Sequence, residues 1–204
     1  AWRTSNPSSR MTTLPIHAVL EPLKAALMAH NAVVLAAPPG AGKTTVVPLT
    51  LLDQSWLGNG RILVLEPRRL AARAAAERMA ATLGQPAGET IGYRTRLQSR
   101  VGPRTRIEVI TEGVFTRMIL DDPGLEGVGA VLFDEFHERS LDADLGLALA
   151  RESQTILRDD LRLLVMSATL DIAGVSRLLA GADGKAAPVI EAEGRMYPVQ
   201  TRYL

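Results

Sequence analysis

The chain has 204 residues, of which 47% are hydrophobic and 22% charged, and its formal net charge is +1 at pH 7. This length and apolar content suit one domain with a sizeable core. The absence of cysteine excludes disulfides, thiolate nucleophiles and cysteine-ligated zinc, and the near-neutral charge argues against a generally basic, nucleic-acid-coating surface.

The sequence carries no signal for a membrane or for secretion. No apolar run approaches the roughly 20 residues that a membrane-spanning helix requires, and the N-terminus lacks the core of a signal peptide. We therefore expect no membrane association, and the lack of cysteine is compatible with a reducing cytoplasm. The polar segment AWRTSNPSSR precedes Met11, so residues 1–12 are expected to be a disordered leader or one added by cloning, and residues 13–204 the folded domain.

Apolar runs alternate with helix patterns along the chain. The runs predict strands at 32–37, 61–67, 107–111, 130–135, 162–168 and 187–192. The intervening patterns predict helices at 21–30, 43–52, 69–83, 113–120, 142–157 and 172–180. Continuous apolar runs are typical of strands covered on both faces, so the sequence predicts an α/β domain with a mainly parallel sheet flanked by helices.

The segment APPGAGKT (37–44) lies between the first predicted strand and the helix that follows it. It matches the phosphate-loop pattern G-x-x-x-x-G-K-[ST] except at the first position, where Ala37 replaces glycine. Lys43 would reach the β- and γ-phosphates of a nucleotide, and Thr44 would ligate Mg²⁺. The alternative is a glycine-rich turn without a ligand. The nucleotide-binding candidates are Pro39, Gly40, Ala41, Gly42, Lys43, Thr44 and Thr45.

An acidic pair follows another buried strand in AVLFDEFHERS (130–140). The carboxyl ends of parallel strands share one edge of a sheet, so Asp134 and Glu135 are expected beside the phosphate loop. Both are candidate metal ligands: Asp134 would hold the magnesium, and Glu135 would also orient and deprotonate the attacking water. His137 could join the nucleotide site to another element. Taken alone, acidic residues after a strand are ordinary surface caps.

These segments resemble those of superfamily 2 helicases. DEFHERS (134–140) resembles the D-E-x-H box of the DEAH branch, with Phe136 where alanine is usual. Together with APPGAGKTT and LEPRRLAARAAAERMA, it is most similar to the bacterial HrpB type, and the resemblance runs from about Leu14 to the end. It implies a RecA-like P-loop fold and hydrolysis of Mg-ATP coupled to movement on single-stranded RNA or DNA.

The resemblance also implies a nucleic-acid interface. It assigns backbone contacts to residues in EPRR, IGYRTR and ITEGVF, namely Arg68, Arg69, Arg94, Thr111, Glu112 and Gly113. Thr111 could instead cap the following helix, or do both. Arg73 is expected to be a solvated partner of Glu77, four residues along the same helix.

Two further roles come from the resemblance alone. In MSATL (166–170), Ser167 and Thr169 are expected to bond toward His137 and couple hydrolysis to domain movement. Arg78 matches the family arginine that stacks on adenine.

The family's motor has a second RecA-like domain, which supplies arginine fingers and half of the nucleic-acid groove. The sequence stops at Leu204, shortly after MSATL, so we expect the chain to be the first motor domain of a longer helicase. An arginine finger contributes roughly a thousandfold or more in rate, so the chain alone should hydrolyse ATP very slowly.

Two other hypotheses remain open. The chain could be another P-loop enzyme, such as a kinase or a GTPase, although no Asn-Lys-x-Asp motif for guanine is present. It could also be a non-catalytic scaffold, against which the intact Lys43, Thr44, Asp134 and Glu135 argue.

Overall fold

Eight strands form one sheet in the computed structural model, which describes residues 14–168, 172–181 and 184–193. The strands are β1 (Ala32–Ala36), β2 (Arg61–Glu66), β3 (Ile91–Arg94), β4 (Ser99–Arg100), β5 (Ile107–Thr111), β6 (Val128–Phe133), β7 (Arg162–Ser167) and β8 (Val189–Glu191). Their spatial order is β4-β3-β5-β2-β6-β7-β1-β8. Every neighbouring pair is parallel except β3 and β4. The predicted α/β class with a mainly parallel sheet is therefore observed.

Within the described residues, six α-helices cover the two faces of the sheet. They are α1 (Leu20–Ala29), α2 (Lys43–Leu51), α3 (Arg69–Thr82), α4 (Glu112–Asp121), α5 (Leu141–Ile156) and α6 (Ile172–Leu178). Two short 3₁₀ helices lie at Pro15–Val19 and Phe136–Glu138. Residues 1–13, which include the expected leader, lie outside the described part of the chain.

The sheet separates two hydrophobic cores because successive strand residues point to opposite faces. The first core packs the sheet against α1, α2 and α3. The second core packs it against α4, α5 and α6. Within β6, Leu132 belongs to the first core and Phe133 to the second. This alternation explains why the strands read as continuous apolar runs, since side chains on both faces are buried.

The structure differs from the sequence-based prediction at several boundaries, and the strand predicted at 187–192 is observed only at Val189–Glu191. The pattern of apolar runs predicts neither β3, for which only the family resemblance implies a strand at Arg94, nor β4, because β3 is four residues long with a glycine and an arginine and β4 has only two exposed residues. The strand predicted at 130–135 is wrong at both ends, since β6 begins at Val128 and stops at Phe133. Glu135 has φ 47°, which is incompatible with a strand.

Among the described residues, no helix combines the length and the apolar character that crossing a bilayer would require.

Candidate active site

The candidate residues lie along the carboxyl edge of the sheet. The phosphate loop follows β1, Ser167 ends β7, and Asp134 follows β6. These three strands are neighbours in the order β6-β7-β1, so only β7 lies between the strand that precedes the acidic pair and the strand that precedes the loop. The sequence expectation that they share one edge matches this arrangement.

Two glycines give the phosphate loop its shape. Gly40 has φ 75° and Gly42 has φ 95°, both in the left-handed region that other residues rarely occupy. A Cβ on Gly42 would also lie 2.8 Å from the side chain of Leu14. The loop is tied to β7 because Ala37 N–H donates to the carbonyl of Ser167 at 2.9 Å. The left-handed conformation is what favours glycine at 42, because the exposed end of the flexible Leu14 side chain could move away from a Cβ.

The helix α2 begins at Lys43, directly after the loop. The first N–H groups of a helix have no acceptor inside the helix, so they present partial positive charge to a ligand at this end. Lys43 is only 3% exposed, and its Nζ donates to the carbonyl of Ala37 at 3.2 Å. The ammonium group is thus held inside the loop, where a phosphate would sit.

Thr44 and Asp134 join the loop to the acidic pair. The Thr44 hydroxyl donates a hydrogen bond to Oδ2 of Asp134, and Oδ1 accepts the N–H of Glu135 at 2.8 Å. Asp134 is 2% exposed, and this burial raises the pKa of its carboxyl, an effect that the hydrogen bond from Thr44 opposes and that the charge of Glu135 reinforces. A buried carboxylate of this kind favours a nearby cation.

The donor set of Thr44 and Asp134 fits a magnesium ion. Both supply hard oxygen ligands, and they are already in contact. Among the described residues, no three His, Cys, Asp or Glu side chains group together as a metal cage. A cation here would complete its shell with water and phosphate oxygens, as Mg²⁺ does in sites that bind a nucleotide.

Glu135 lies between Lys43 and His137. Its Oε1 is 3.5 Å from Nζ of Lys43, and its Oε2 is 3.4 Å from Nδ1 of His137. The backbone N–H of Ala168 donates to the same Nδ1 at 3.3 Å. Nδ1 can accept the Ala168 bond only without a proton and can donate to Glu135 only with one, so the two contacts belong to alternative forms of the ring.

The same contact links the acidic segment to β7. The backbone of Ala168 makes the contact described here, and the bond expected from the side chain of Ser167 toward His137 stays a prediction. Thr169 lies outside the described residues, and its role stays a prediction.

Glu66 is a carboxylate at this edge that the sequence analysis missed. It ends β2, the neighbour of β6, and is 5% exposed. Burial raises the pKa of Glu66 to about 8, assisted by the charges of Asp134, Glu135 and Glu138 and opposed by that of Arg68. The sequence feature that indicated Asp134, an acidic residue at the end of a buried strand, is also present at Glu66 and could have identified it.

The nucleic-acid candidates lie farther along the carboxyl edge, at the ends of β3, β5 and β2. A groove of about 920 Å³ brings three of them together with two more arginines. These lining residues are Arg94, Thr111, Gly113, Arg96 and Arg117, and the groove is also lined by three carboxylates, those of Asp121, Asp122 and Asp142.

The surroundings of Arg94 and Thr111 show which of their groups are available to a ligand in this groove. Nε of Arg94 lies 2.6 Å from Oε1 of Glu108, whose carboxylate is buried. The buried carboxylate therefore fixes the position of the Arg94 guanidinium, which remains partly exposed to solvent. Thr111 occupies the N-cap position of α4 without a side-chain capping bond, so the capping alternative is wrong for its hydroxyl.

Two other candidates contact the segment that follows the acidic pair. Nη2 of Arg68, at the start of α3, lies 2.5 Å from Oε1 of Glu138. The hydroxyl of Ser140 donates to the carboxylate of Glu112. Any contact of Glu112 with phosphate would therefore use its backbone N–H, since its carboxyl group offers oxygen acceptors and already accepts the bond from Ser140.

The remaining arginines of α3 are exposed. Nε of Arg73 lies 2.7 Å from Oε1 of Glu77, so the interpretation of Arg73 as a solvated helix partner is confirmed. Arg69 and Arg78 are exposed on the same helix, and their contacts with nucleic acid and adenine stay predictions.

A family model described as DEAD/DEAH box helicase matches residues 20–178. Among curated proteins, the "ATP-dependent RNA helicase HrpB" of Escherichia coli (strain K12) is 55% identical over 194 residues, covering 95% of this chain and 23% of the relative. The "ATP-dependent RNA helicase HrpA homolog" of Haemophilus influenzae is 33% identical over 198 residues, covering 97% and 15%.

A solved structure gives the same result. The crystal structure of E. coli DEAH/RHA helicase HrpB superposes with a TM-score of 0.85 at 55% identity, covering 94% of this chain and 24% of that one. The predicted RecA-like fold is confirmed by this match. The chain spans less than a quarter of the length of the curated relatives named here.

Proposed function

The chain belongs to the DEAD/DEAH box helicase family, and we propose that it is the ATP-binding motor domain of an ATP-dependent nucleic-acid helicase. The observation that carries this proposal is the contact between Thr44 and Asp134, together with the 3.5 Å approach of Lys43 to Glu135. A phosphate-binding lysine, a magnesium-ligating hydroxyl and two carboxylates meet in one place. Residues 13–204 would form the first RecA-like domain of the motor.

In this proposal the loop holds the triphosphate of ATP. The backbone N–H groups of residues 40–45 surround the phosphates, Pro39 contributes only packing because it has no N–H, and Lys43 neutralises the β- and γ-phosphates. Thr44 and Asp134 would hold Mg²⁺, with Glu135 nearby, and the ion would neutralise charge on the phosphates. Arg78 would stack on the adenine ring.

Hydrolysis needs a base beside the γ-phosphate. Glu135 accepts the proton of a water as that water attacks phosphorus, and the bond to the β-phosphate oxygen breaks to release ADP and phosphate. Lys43 is paired with the same carboxylate in the structure, and a bound γ-phosphate would replace Glu135 at the ammonium group and leave the carboxylate free to face the water. His137 connects the site to the end of β7 through its hydrogen bond with Ala168. A movement of His137 during hydrolysis would therefore shift Ser167 and Thr169, which would couple hydrolysis to domain movement.

A strand of nucleic acid would lie along the ends of β3, β5 and β2. Arg68, Arg69 and Arg94 would contact its phosphates, as would the backbone at 111–113. The names of the relatives specify RNA helicases, which favours RNA as the strand. A second RecA-like domain of the full-length protein would supply arginine fingers and the other half of the groove, and we propose a cytoplasmic location.

ATP hydrolysis by the full-length protein, measured with and without single-stranded RNA or DNA, tests this function. We expect at least one of them to stimulate turnover. Hydrolysis that neither nucleic acid stimulates would refute the helicase assignment while leaving another P-loop enzyme possible. No thermal shift on titration with Mg-ATP would instead favour a non-catalytic scaffold.

A further inference from the structure

The residue directly after Glu135 is anchored on the opposite face of the sheet from the nucleotide site. Asp134 faces α2 through Thr44, on the side of the first core. Phe136 is 4% exposed and belongs to the second core, with α4 and α5. The chain therefore crosses the carboxyl edge within three residues, and Glu135 lies at the crossing.

The backbone at this crossing is in an unfavourable conformation. Glu135 has φ 47°, in the left-handed region, where side chains other than glycine are rarely found. Such a conformation persists only when its surroundings hold it. Two local bonds do so in part: Glu135 N–H donates to Oδ1 of Asp134, and Glu138 N–H donates to the Glu135 carbonyl, both at 2.8 Å.

Phe136 supplies a larger anchor on the downstream side. Its ring packs edge-on against Phe133 of β6, with centroids 6.2 Å apart and an interplanar angle of 86°. Phe133 packs in the same way against Phe115 of α4, at 5.8 Å and 87°. The chain's three phenylalanines thus form one row inside the second core. Edge-to-face pairs at these distances are favourable and restrict the position of each ring.

Arg139 covers this anchor from the solvent side. Its guanidinium lies 5.4 Å from the centroid of the Phe136 ring. The same group donates to both carboxylate oxygens of Asp144 on α5, at 2.9 and 2.8 Å. The ring is therefore enclosed by Phe133 on one side and by an arginine fixed to a helix on another.

We propose that Phe136 is a positioning residue, which directs the carboxylate of Glu135 toward the γ-phosphate by fixing the next residue in the second core. This inference rests on the proposed function, because it concerns the base of that reaction. The groups that would bind nucleotide, Lys43 and Thr44, belong to α2, which packs on the other face of the sheet from the Phe136 ring. Loosening the ring should therefore lower kcat and leave the KM for ATP nearly unchanged.

The test compares Phe136→Leu and Phe136→Ala with Phe115→Leu and Phe115→Ala in the full-length protein. Phe115 is the matched control because it is also buried and also packs on Phe133, but it lies on α4. Thermal melts show the temperature range in which each variant is folded, and kcat and KM for ATP are measured within it at saturating nucleic acid. We expect Phe136→Ala to lower kcat roughly 10- to 100-fold, with KM within about threefold, since small misplacements of a reacting group can cost this much.

The Phe115 variants should melt earlier but keep kcat within about threefold of the parent. If Phe136→Ala does not fold, Phe136→Leu is combined with Glu135→Gln, and residual turnover is compared. A residue that acts through Glu135 should have no further effect once that carboxylate is gone.

Two results would overturn the inference alone: equal kcat in the Phe136 and Phe115 variants, or an undiminished effect of Phe136→Leu in the Glu135→Gln background. Parent protein without ATP hydrolysis would overturn the proposed function and this inference together.

Discussion

Nζ of Lys43 and Oε1 of Glu135 lie 3.5 Å apart, so the proposed phosphate ligand and the proposed base form an ion pair at the mouth of the loop. A γ-phosphate entering the loop would compete with Glu135 for the ammonium group. The two negative groups would also repel each other, which favours Glu135 facing a water rather than the lysine. The pair therefore links nucleotide binding to the orientation of the base.

Replacing Lys43 with alanine should weaken Mg-ATP binding. Loss of one charged hydrogen bond to phosphate costs roughly 2 to 3 kcal/mol, or about 30- to 150-fold in Kd. Titration calorimetry on the chain measures this. Lys24→Ala is the control, because Lys24 lies on α1 and pairs with Glu21 away from the loop. Equal affinities of the two variants would remove Lys43 from the site.

Glu135→Gln should bind ATP at least as tightly as the parent, since the amide removes the repulsion with phosphate. Its turnover should fall by about 10²- to 10⁴-fold, the usual contribution of a general base. Both are measured in the full-length protein by nucleotide titration and steady-state hydrolysis. Glu152→Gln, on the exposed side of α5, is the control. Unaltered turnover in Glu135→Gln would show that another group takes the proton.

Arg68 and Glu138 should have opposite effects on RNA binding. Arg68→Ala removes a phosphate contact, so affinity should fall and the slope of log K against log salt should decrease by about 1. Glu138→Gln should tighten binding, because it frees Arg68 from its 2.5 Å ion pair.

Fluorescence anisotropy of a labelled single strand, at several salt concentrations, measures both. The control is Arg104→Ala. Arg104 lies just before β5, at the amino-terminal ends of the parallel strands, and pairs with Glu89. An Arg68→Ala slope equal to that of the control would place Arg68 outside the interface.

Glu66→Gln should stabilise the chain in alkaline solution. The folded pKa of about 8 lies above the ordinary 4.5, so the folded state holds a proton that the unfolded state has lost. Stability from this group is therefore present below about pH 4.5 and is lost as the pH rises toward about 8. Glutamine cannot ionise, so Glu66→Gln should avoid this loss in the free energy of unfolding. The gain is on the order of a few kcal/mol, or roughly 5 to 10 °C in Tm.

Thermal melts at pH 5 and pH 8.5 check this prediction. The gain in Tm should be small at pH 5 and should appear at pH 8.5. Exposed Glu126→Gln is the control. A gain from Glu66→Gln that is equal at both pH values would mean that Glu66 is ionised in the folded protein throughout this range.

The strands that the sequence predicted well are those whose side chains are buried on both faces. β5, at 107–111, was predicted with its observed bounds because every position but the last is buried. The apolar pattern did not predict β3 because Gly92 and Arg94 interrupt it, although Ile91 and Tyr93 are buried. Short strands beside an edge carry too little apolar signal to stand out from turns.

The site shows a similar division. Lys43, Thr44 and Asp134 could be placed together because parallel strands bring their carboxyl ends to one edge. The bond from Ser140 to Glu112 and the ion pair of Arg68 with Glu138 could not. Each joins side chains from different elements, and their meeting depends on the packing of α3, α4 and the segment 136–140. No spacing in the sequence encodes such a contact.

The central claim is that the phosphate loop and the acidic pair bind one metal-bound triphosphate. A crystal structure of the chain with Mg²⁺ and a non-hydrolysable ATP analogue tests it most directly. The account predicts phosphate oxygens on Nζ of Lys43 and on the N–H groups of residues 40–45, with the metal ion between Thr44 and Asp134. A nucleotide bound away from Lys43, or a metal ion distant from Asp134, would contradict it.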